Sequence, residues 1–156
     1  MKEKITQDAV NHAAAIVTFV IHDRKKSNIL NVTSKIFNDT VCQTLLGVNP
    51  LFRQIKTCDL DYTLLSYYEN SHYYLPHYDK ACLTVLNYFY REPKAFSGGE
   101  IKFNDFDIEI TPKNNMVIVF PSCYMHEAKE VIMEKSDFQG QGRYCISKFL
   151  HYKIRG

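Results

Sequence analysis

Hydrophobic and polar positions divide the chain into two stretches of different period. In the first third the spacing is helical. Thr6, followed by Gln7 and Asp8, predicts a helix start that carries an Ala-rich stretch. Ile36, Phe37, Val41 and Leu45 predict a second helix from about Ser34 to Leu46, with Gly47 as its stop. From about Asp61 onward the period falls toward two. Tyr62–Tyr68 is rich in β-formers, and Leu83–Tyr90 is almost wholly apolar or aromatic. Phe96-Ser-Gly-Gly reads as a turn into Glu100–Phe103, and Phe106, Ile108 and Ile110 then alternate with Asp105, Asp107 and Glu109 as in a half-buried strand. Met116–Phe120 is continuously apolar, the pattern of a strand covered on both faces, and Pro121 ends it. Arg143–Tyr152 alternates again. Short strands punctuated by Gly, Pro and Asn predict a mainly β architecture, an antiparallel sandwich or jelly roll with flanking helices.

A chain of 156 residues holds one domain, and no repeat, low-complexity tract or linker divides it. The expected organisation is a single domain over 1–156, helical over about 1–58 and β-rich over about 61–152. A hydrophobic share of 46% and a charged share of 23% exclude a disordered or fibrous chain. A net charge of +2 is too balanced to predict a nucleic-acid or membrane partner. The cysteines number five, and none forms a C-x-x-C pair. That count argues against a disulfide framework or zinc knuckle and for reduced thiols in a cytoplasmic protein. The apolar run Ala13–Ile21 is too short to span a bilayer and is flanked by polar residues on both sides, so a buried element is expected rather than a signal peptide. Aromatic usage changes the picture more: eight of the 11 tyrosines fall between Tyr62 and Tyr90.

Candidate chemistry lies in the β-rich part. His77-Tyr-Asp79 places an imidazole and a carboxylate on one face of a strand, within reach of one metal ion. Alone the pattern is weak, since roughly one chain in three of this composition carries it by chance, and a surface histidine near a solvated aspartate is the plain alternative. His126 follows the buried run and the break at Pro121-Ser-Cys123. Two imidazoles and one carboxylate on a compact β-scaffold make the facial triad of non-haem Fe(II), although zinc accepts the same ligand types. In Gly142–Phe149, alternation puts Arg143 on one face with Cys145, Ser147 and Phe149. A cation turned inward needs an anionic partner, and a carboxylate ligand suits it; the alternative is inverted alternation with Arg143 in solvent. Tyr68, Tyr74 and Tyr88 then supply hydroxyl donors on otherwise apolar walls, or simply pack the core.

The order His77-x-Asp79, Phe96-Ser-Gly-Gly-Glu-Ile-Lys-Phe103, Met116-Val-Ile-Val-Phe-Pro-Ser122, His126-Glu-x-x-x-Val131 and Gly142-Arg-Tyr-x-Ile-Ser147 resembles the 2-oxoglutarate and Fe(II)-dependent dioxygenases, in particular their prolyl-4-hydroxylase-like branch. The resemblance spans about residues 61–152. It implies a double-stranded β-helix, or jelly roll, with the N-terminal helices packed outside. By the same resemblance His77, Asp79 and His126 are the iron ligands, and Arg143 pairs with the far carboxylate of 2-oxoglutarate. Tyr68 supports that carboxylate, or Tyr67 does if the register slips by one; Tyr88 and Ser147 line the same co-substrate site, and Gly98 and Gly99 match the turn before a core strand. The implied cofactors are Fe(II) and 2-oxoglutarate, with ascorbate as an accessory.

The implied reaction consumes dioxygen, releases succinate and CO2, and hydroxylates an unactivated C–H bond. A peptidyl proline is the first expectation for the substrate. A free amino acid or other small molecule is the alternative, and a non-catalytic metal- or ligand-binding jelly roll is a third reading. No nucleic acid and no membrane is expected as a partner. Two features depart from the branch. Ile132–Gln141 reads as an inserted charged loop, and the chain is short and begins close to the domain, so little N-terminal substrate-recognition structure is expected. Asp79 stands where related halogenases carry a small residue, which favours hydroxylation. The stretches from Glu127 to Gly142 and from Tyr90 to Ser97 are expected to border the entrance.

Overall fold

The computed structural model describes residues 17–20, 26–134 and 140–152. Strand β1 (Val17–Val20) precedes helices α1 (Asn28–Thr33) and α2 (Asp39–Val48) and a 3₁₀ turn over Pro50–Lys56. Strands β2 (Leu60–Tyr68), β3 (Tyr74–His77), β4 (Leu83–Phe89), β5 (Ser97–Gly98) and β6 (Ile101–Phe103) follow. The remaining strands are β7 (Ile108–Ile110), β8 (Met116–Pro121), β9 (His126–Ala128), β10 (Val131–Ile132) and β11 (Arg143–His151). Side-chain oxygens start the helical pieces where the sequence offers them. Ser27 Oγ accepts from Leu30 N at 3.2 Å, Asn38 Oδ1 from Val41 N at 3.0 Å, and Asn49 Oδ1 from Leu51 N at 2.9 Å, each occupying an otherwise orphaned amide.

Among the described residues the strands form an antiparallel five-stranded sheet, β1-β2-β11-β4-β8, a four-stranded sheet, β3-β9-β6-β7, and the pair β10-β5. The two larger sheets share a core. Tyr68, Leu86, Tyr88, Phe120 and Cys145 on the five-stranded sheet pack with Ile101 and Phe103 of the four-stranded sheet, and Phe96, Val131 and Met133 close the cluster. Phe103 and Phe120 meet edge to face across the sheets at 4.9 Å. This is the expected jelly roll.

The opposite face of the five-stranded sheet carries the helical layer. Phe52 packs on Leu83, Val85 and Leu150, with Phe37, Leu45, Ile55 and Val119 around them. Burying a side chain such as Phe52 contributes about 1.5–3 kcal/mol, so this layer is held by packing rather than by helix propensity. It also explains why β4 is apolar at nearly every position: Leu83 and Val85 face the helices, while Leu86 and Tyr88 face the barrel. No helix among the described residues is long and apolar enough to cross a membrane.

Four expectations need correction. Within the part expected to be helical, Val17–Val20 is a strand pairing with Tyr67–Leu64 of β2. Its β-branched and aromatic residues suit an edge strand, and the open edge of β2 supplies the partner; residues 1–16 lie outside the described residues. Gly47 does not stop α2, which runs on to Val48 and ends at Asn49, and the segment Ser34–Phe37 is a separate 3₁₀ turn. The expected strand from Phe106 is shortened by a turn in which Asp107 adopts a φ of 52°. Consequently Phe106 and Ile108 point outward, each 50% exposed. Val117 on β8 is likewise open to solvent, so that strand is not covered on both faces throughout.

Candidate active site

Strands β3 and β9 pair so that His77 and His126 are direct cross-strand partners. Directly paired residues project from the same face, which brings the two rings to 4.3 Å between centroids. Asp79 is not on the strand, as the sequence pattern suggested, but in the loop just after it. Its backbone N–H donates to Ser122 O at 3.1 Å, and this bond turns the carboxylate back toward both rings. Asp79 Oδ1 lies 3.6 Å from His77 Nε2, and Oδ2 lies 3.4 Å from His126 Nε2.

The hydrogen bonds fix the tautomers. Backbone carbonyls can only accept, so His77 Nδ1 carries a proton donated to Leu75 O at 2.7 Å, and His126 Nδ1 one donated to Tyr124 O at 3.0 Å. Nε2 is thereby the nitrogen of each ring that faces the carboxylate. Aromatic packing holds the rings: Tyr74 meets His77 edge-on at 4.1 Å, and Phe120 meets His126 at 4.8 Å. One ligand atom from each of His77, Asp79 and His126 lies within 4.8 Å of the others, a donor set that suits Fe(II) and could also hold zinc.

Arg143, the first residue of β11, faces inward as the alternation predicted and is only 1% exposed. Its Nη1 donates to Gly99 O at 2.7 Å. The guanidinium carbon stands 4.0 Å from the centroid of the Tyr68 ring and 5.1 Å from that of Tyr88, so both rings wall the cation. Among the described residues no carboxylate pairs with it, and its buried Nε has no hydrogen-bond partner. A buried guanidinium with an unused donor is matched to an anion, and a planar carboxylate fits its fork. Burial pushes the Tyr68 and Tyr88 phenols well above their ordinary value, the guanidinium partly opposing the shift, so both remain protonated donors.

Register also decides between the adjacent tyrosines. Tyr68 pairs with Arg143 and shares its inner face. Tyr67 points the other way, where its hydroxyl accepts from Gly140 N at 2.9 Å and Gly142 N at 3.2 Å and donates to Glu69 Oε1 at 3.0 Å. Ser147 lies on the inner face of β11, and its Oγ contacts Cys145 Sγ at 3.7 Å. The Gly98-Gly99 turn has a specific purpose. A Cβ on Gly98 would overlap Glu130 O at 2.1 Å, and one on Gly99 would meet Val131 Cγ2 at 3.0 Å and Arg143 Nε at 3.5 Å. In the stretch read as an inserted loop, Ile132 ends β10 and Met133 is buried in the core, so its first part is barrel wall; residues 135–139 lie outside the described residues.

Sequence reasoning missed Thr84 and Ser122. Both are fully buried, with hydroxyls 2.8 Å apart, and Thr84 donates to Asp79 Oδ2 at 2.5 Å. A buried threonine at the start of an apolar strand carried no separate signal in the sequence.

Comparison with known proteins bears on the fold and the family. Two solved structures share the fold. One is a prolyl-4-hydroxylase from Pseudomonas putida, at TM-score 0.59 and 14% identity, over 89% of this chain and 73% of that one. The other is a viral collagen prolyl hydroxylase from Paramecium bursaria Chlorella virus-1, in complex with 2-oxoglutarate, at TM-score 0.59 and 15% identity, over 93% and 83%. A PKHD-type hydroxylase of Synechocystis, itself uncharacterized, is 33% identical over 46% of this chain and 27% of its own length. The chain thus spans about a quarter of the curated relative it matches. The family model for the 2OG-Fe(II) oxygenase superfamily matches residues 62–151, more than half of the chain and every strand from β3 to β11. The chain belongs to the 2OG-Fe(II) oxygenase superfamily.

Proposed function

We propose that this chain is a single-domain Fe(II)- and 2-oxoglutarate-dependent hydroxylase in which His77, Asp79 and His126 hold the iron. Arg143, with Tyr68 and Tyr88 beside it, takes the distal carboxylate of 2-oxoglutarate. The observation that carries the reading is the buried cation: among the described residues Arg143 lacks a carboxylate partner and keeps its Nε free, and it lies against Tyr68 and Tyr88 of the same core whose Phe120 packs on His126. The donor set fits Fe(II), and the guanidinium fits the dianion that would accompany it.

When bound, iron and 2-oxoglutarate supply the oxidative chemistry, in which dioxygen is consumed, the keto acid yields succinate and CO2, and one oxygen atom enters a C–H bond. The chain's own residues orient and exclude. The carbonyls of Leu75 and Tyr124 hold the two rings by Nδ1, with both Nε2 atoms toward the Asp79 carboxylate. Arg143 is held by Gly99 O, so its charge is positioned before any ligand arrives. Tyr68 and Tyr88 keep water from the guanidinium and offer neutral hydroxyl donors. Ser147 completes the inner face of β11 below them.

For the substrate we favour a peptidyl proline. Support comes from the names of the fold relatives and from the exposed side chains that flank His77 in sequence, Leu75 at 44% and Tyr78 at 53%. Exposed apolar and aromatic side chains suit a pyrrolidine ring. The test is release of CO2 from carboxyl-labelled 2-oxoglutarate, with and without Fe(II), in the presence of proline-containing peptides or free amino acids. Iron-dependent release stimulated by a peptide, with an oxygen added to it, is expected, and His77→Ala or Asp79→Ala should abolish it. Stimulation by free amino acids alone would move the substrate to the small-molecule class. Binding of 2-oxoglutarate with no release under any condition would leave a binding protein and overturn the enzymatic reading.

A further inference from the structure

Thr84, on β4, and Ser122, just past the end of β8, meet at the Asp79 carboxylate. Thr84 is the second residue of β4, and Ser122 directly follows β8, which pairs with β4 through Leu83–Pro121 and Thr84–Phe120. Both residues are 0% exposed. Thr84 Oγ1 lies 2.5 Å from Asp79 Oδ2 and 2.8 Å from Ser122 Oγ. The backbone laces the same spot: Asp79 N donates to Ser122 O at 3.1 Å, and Ser122 N to Cys82 O at 3.2 Å.

Proton counting sets the direction of this chain of hydroxyls. A carboxylate has no hydrogen to give, so the single Thr84 hydroxyl proton goes to Asp79 Oδ2. The Thr84 oxygen is then an acceptor, and the Ser122 hydroxyl donates to it. Oδ2 is thereby committed to a protein donor. Among the described residues no hydrogen-bond donor occupies Oδ1, which stands 3.6 Å from His77 Nε2. Nothing in the barrel wall requires two hydroxyls at these positions, because the adjoining inward residues Leu86 and Phe120 are apolar. Burying such a pair is costly unless its hydrogen bonds are made.

We propose that Thr84, backed by Ser122, is a positioning residue for the metal centre: it holds Asp79 by Oδ2 and leaves Oδ1 as the oxygen offered to the ion. This rests on the metal-centre reading above. The pair acts through Asp79 and touches neither substrate nor ion. Partners of this kind orient a ligand and tune its basicity, and their loss typically lowers metal affinity by about 10–100-fold.

The test is titration of the metal-free protein with Mn(II), reading free ion by electron paramagnetic resonance. Thr84→Ser and Thr84→Ala both remove the methyl group and differ only in the hydroxyl. Thr84→Ser should bind within about threefold of the parent protein, whereas Thr84→Ala should bind about 10–100-fold more weakly. Ser122→Ala, which removes only the second donor, should fall between them, and it decides the matter if Thr84→Ala does not fold. A merely structural role would lower the melting temperature of Thr84→Ala while leaving its Mn(II) affinity equal to that of Thr84→Ser, and that result would overturn the proposal. Failure of the parent protein to bind Mn(II) would remove the metal-centre reading itself, and this inference with it.

Discussion

The guanidinium of Arg143 and the backbone of Gly99 are fitted to each other: Nη1 donates to the Gly99 carbonyl at 2.7 Å, and a Cβ on Gly99 would stand 3.4 Å from Arg143 Cδ and 3.5 Å from Nε. Gly99 also has a φ of +73°, where a side chain costs about 1–2 kcal/mol. Gly99→Ala is therefore expected to lower stability, through this φ and through the 3.0 Å approach of the new Cβ to Val131 Cγ2, and to disturb the carbonyl that holds Arg143 Nη1. Misplacing the cation by even about 1.4 kcal/mol of interaction weakens 2-oxoglutarate tenfold. Calorimetric titration of the Mn(II)-loaded variant with 2-oxoglutarate measures this, and an unchanged dissociation constant would show that the close approach has no bearing on the co-substrate.

Arg143 itself gives a larger effect. Removing one member of a buried charge pair costs about 2–5 kcal/mol, so Arg143→Ala should raise the KM for 2-oxoglutarate at least about thirtyfold. Arg143→Lys should lie between, since it keeps the charge but loses the planar fork and the packing between Tyr68 and Tyr88. Steady-state rates against 2-oxoglutarate concentration distinguish the three proteins. A KM that stays put in Arg143→Ala would place the anion elsewhere.

Tyr67 and Tyr68 are sequence neighbours on opposite faces of β2, and removing each hydroxyl should separate their effects. Tyr67→Phe takes the acceptor from the amides of Gly140 and Gly142 and the donor from Glu69. A stability loss of about 1–3 kcal/mol is expected, with 2-oxoglutarate affinity preserved. Tyr68→Phe keeps the ring over Arg143 but removes the hydroxyl, and should weaken 2-oxoglutarate several-fold. Urea unfolding and ligand titration on both variants give the comparison; a co-substrate defect confined to Tyr67→Phe would reverse the assignment.

These residues also show what was legible beforehand. Motif order singled out His77, Asp79, His126 and Arg143, of which the structure brings the first three together and buries the fourth, because residue types and their spacing are readable without knowledge of the strands. The inward face of β11 was harder, since Ile146, Lys148 and Leu150 on its other face are buried too, under the helical layer. Lys148 is tolerated there with Asp61 Oδ2 3.5 Å from its Nζ. Strand β1 was hidden because its partner, β2, lies some 45 residues on, and the alanines before it read as helix. Phe106 and Ile108 misled the alternation, because the intervening turn turns them outward. Thr84 and Ser122 are 38 residues apart, and only the pairing of β4 with β8 brings them together.

The crowding of buried acids around Arg143 predicts a steep alkaline limb in stability. Burial raises the Cys145 thiol above its ordinary 9.0, with Arg143 partly opposing, and raises the Tyr68 and Tyr88 phenols above 10.0. In the unfolded chain these groups release protons near the ordinary values, while in the folded protein they still hold them. The unfolded state therefore binds fewer protons at high pH, and stability falls as pH rises. The contribution is intact below pH 9, is lost first through the thiol and then, above pH 10, through the phenols. Each group adds about 1.4 kcal/mol per pH unit once its unfolded form is ionised. Urea unfolding of the metal-free protein between about pH 8 and pH 11 reads this slope. Tyr88→Phe should flatten it above pH 10 by the share of one group, and Cys145→Ala should flatten it from pH 9, whatever either substitution costs at neutral pH. Identical slopes in the parent protein and both variants would mean that these side chains ionise as freely in the folded barrel as in the open chain.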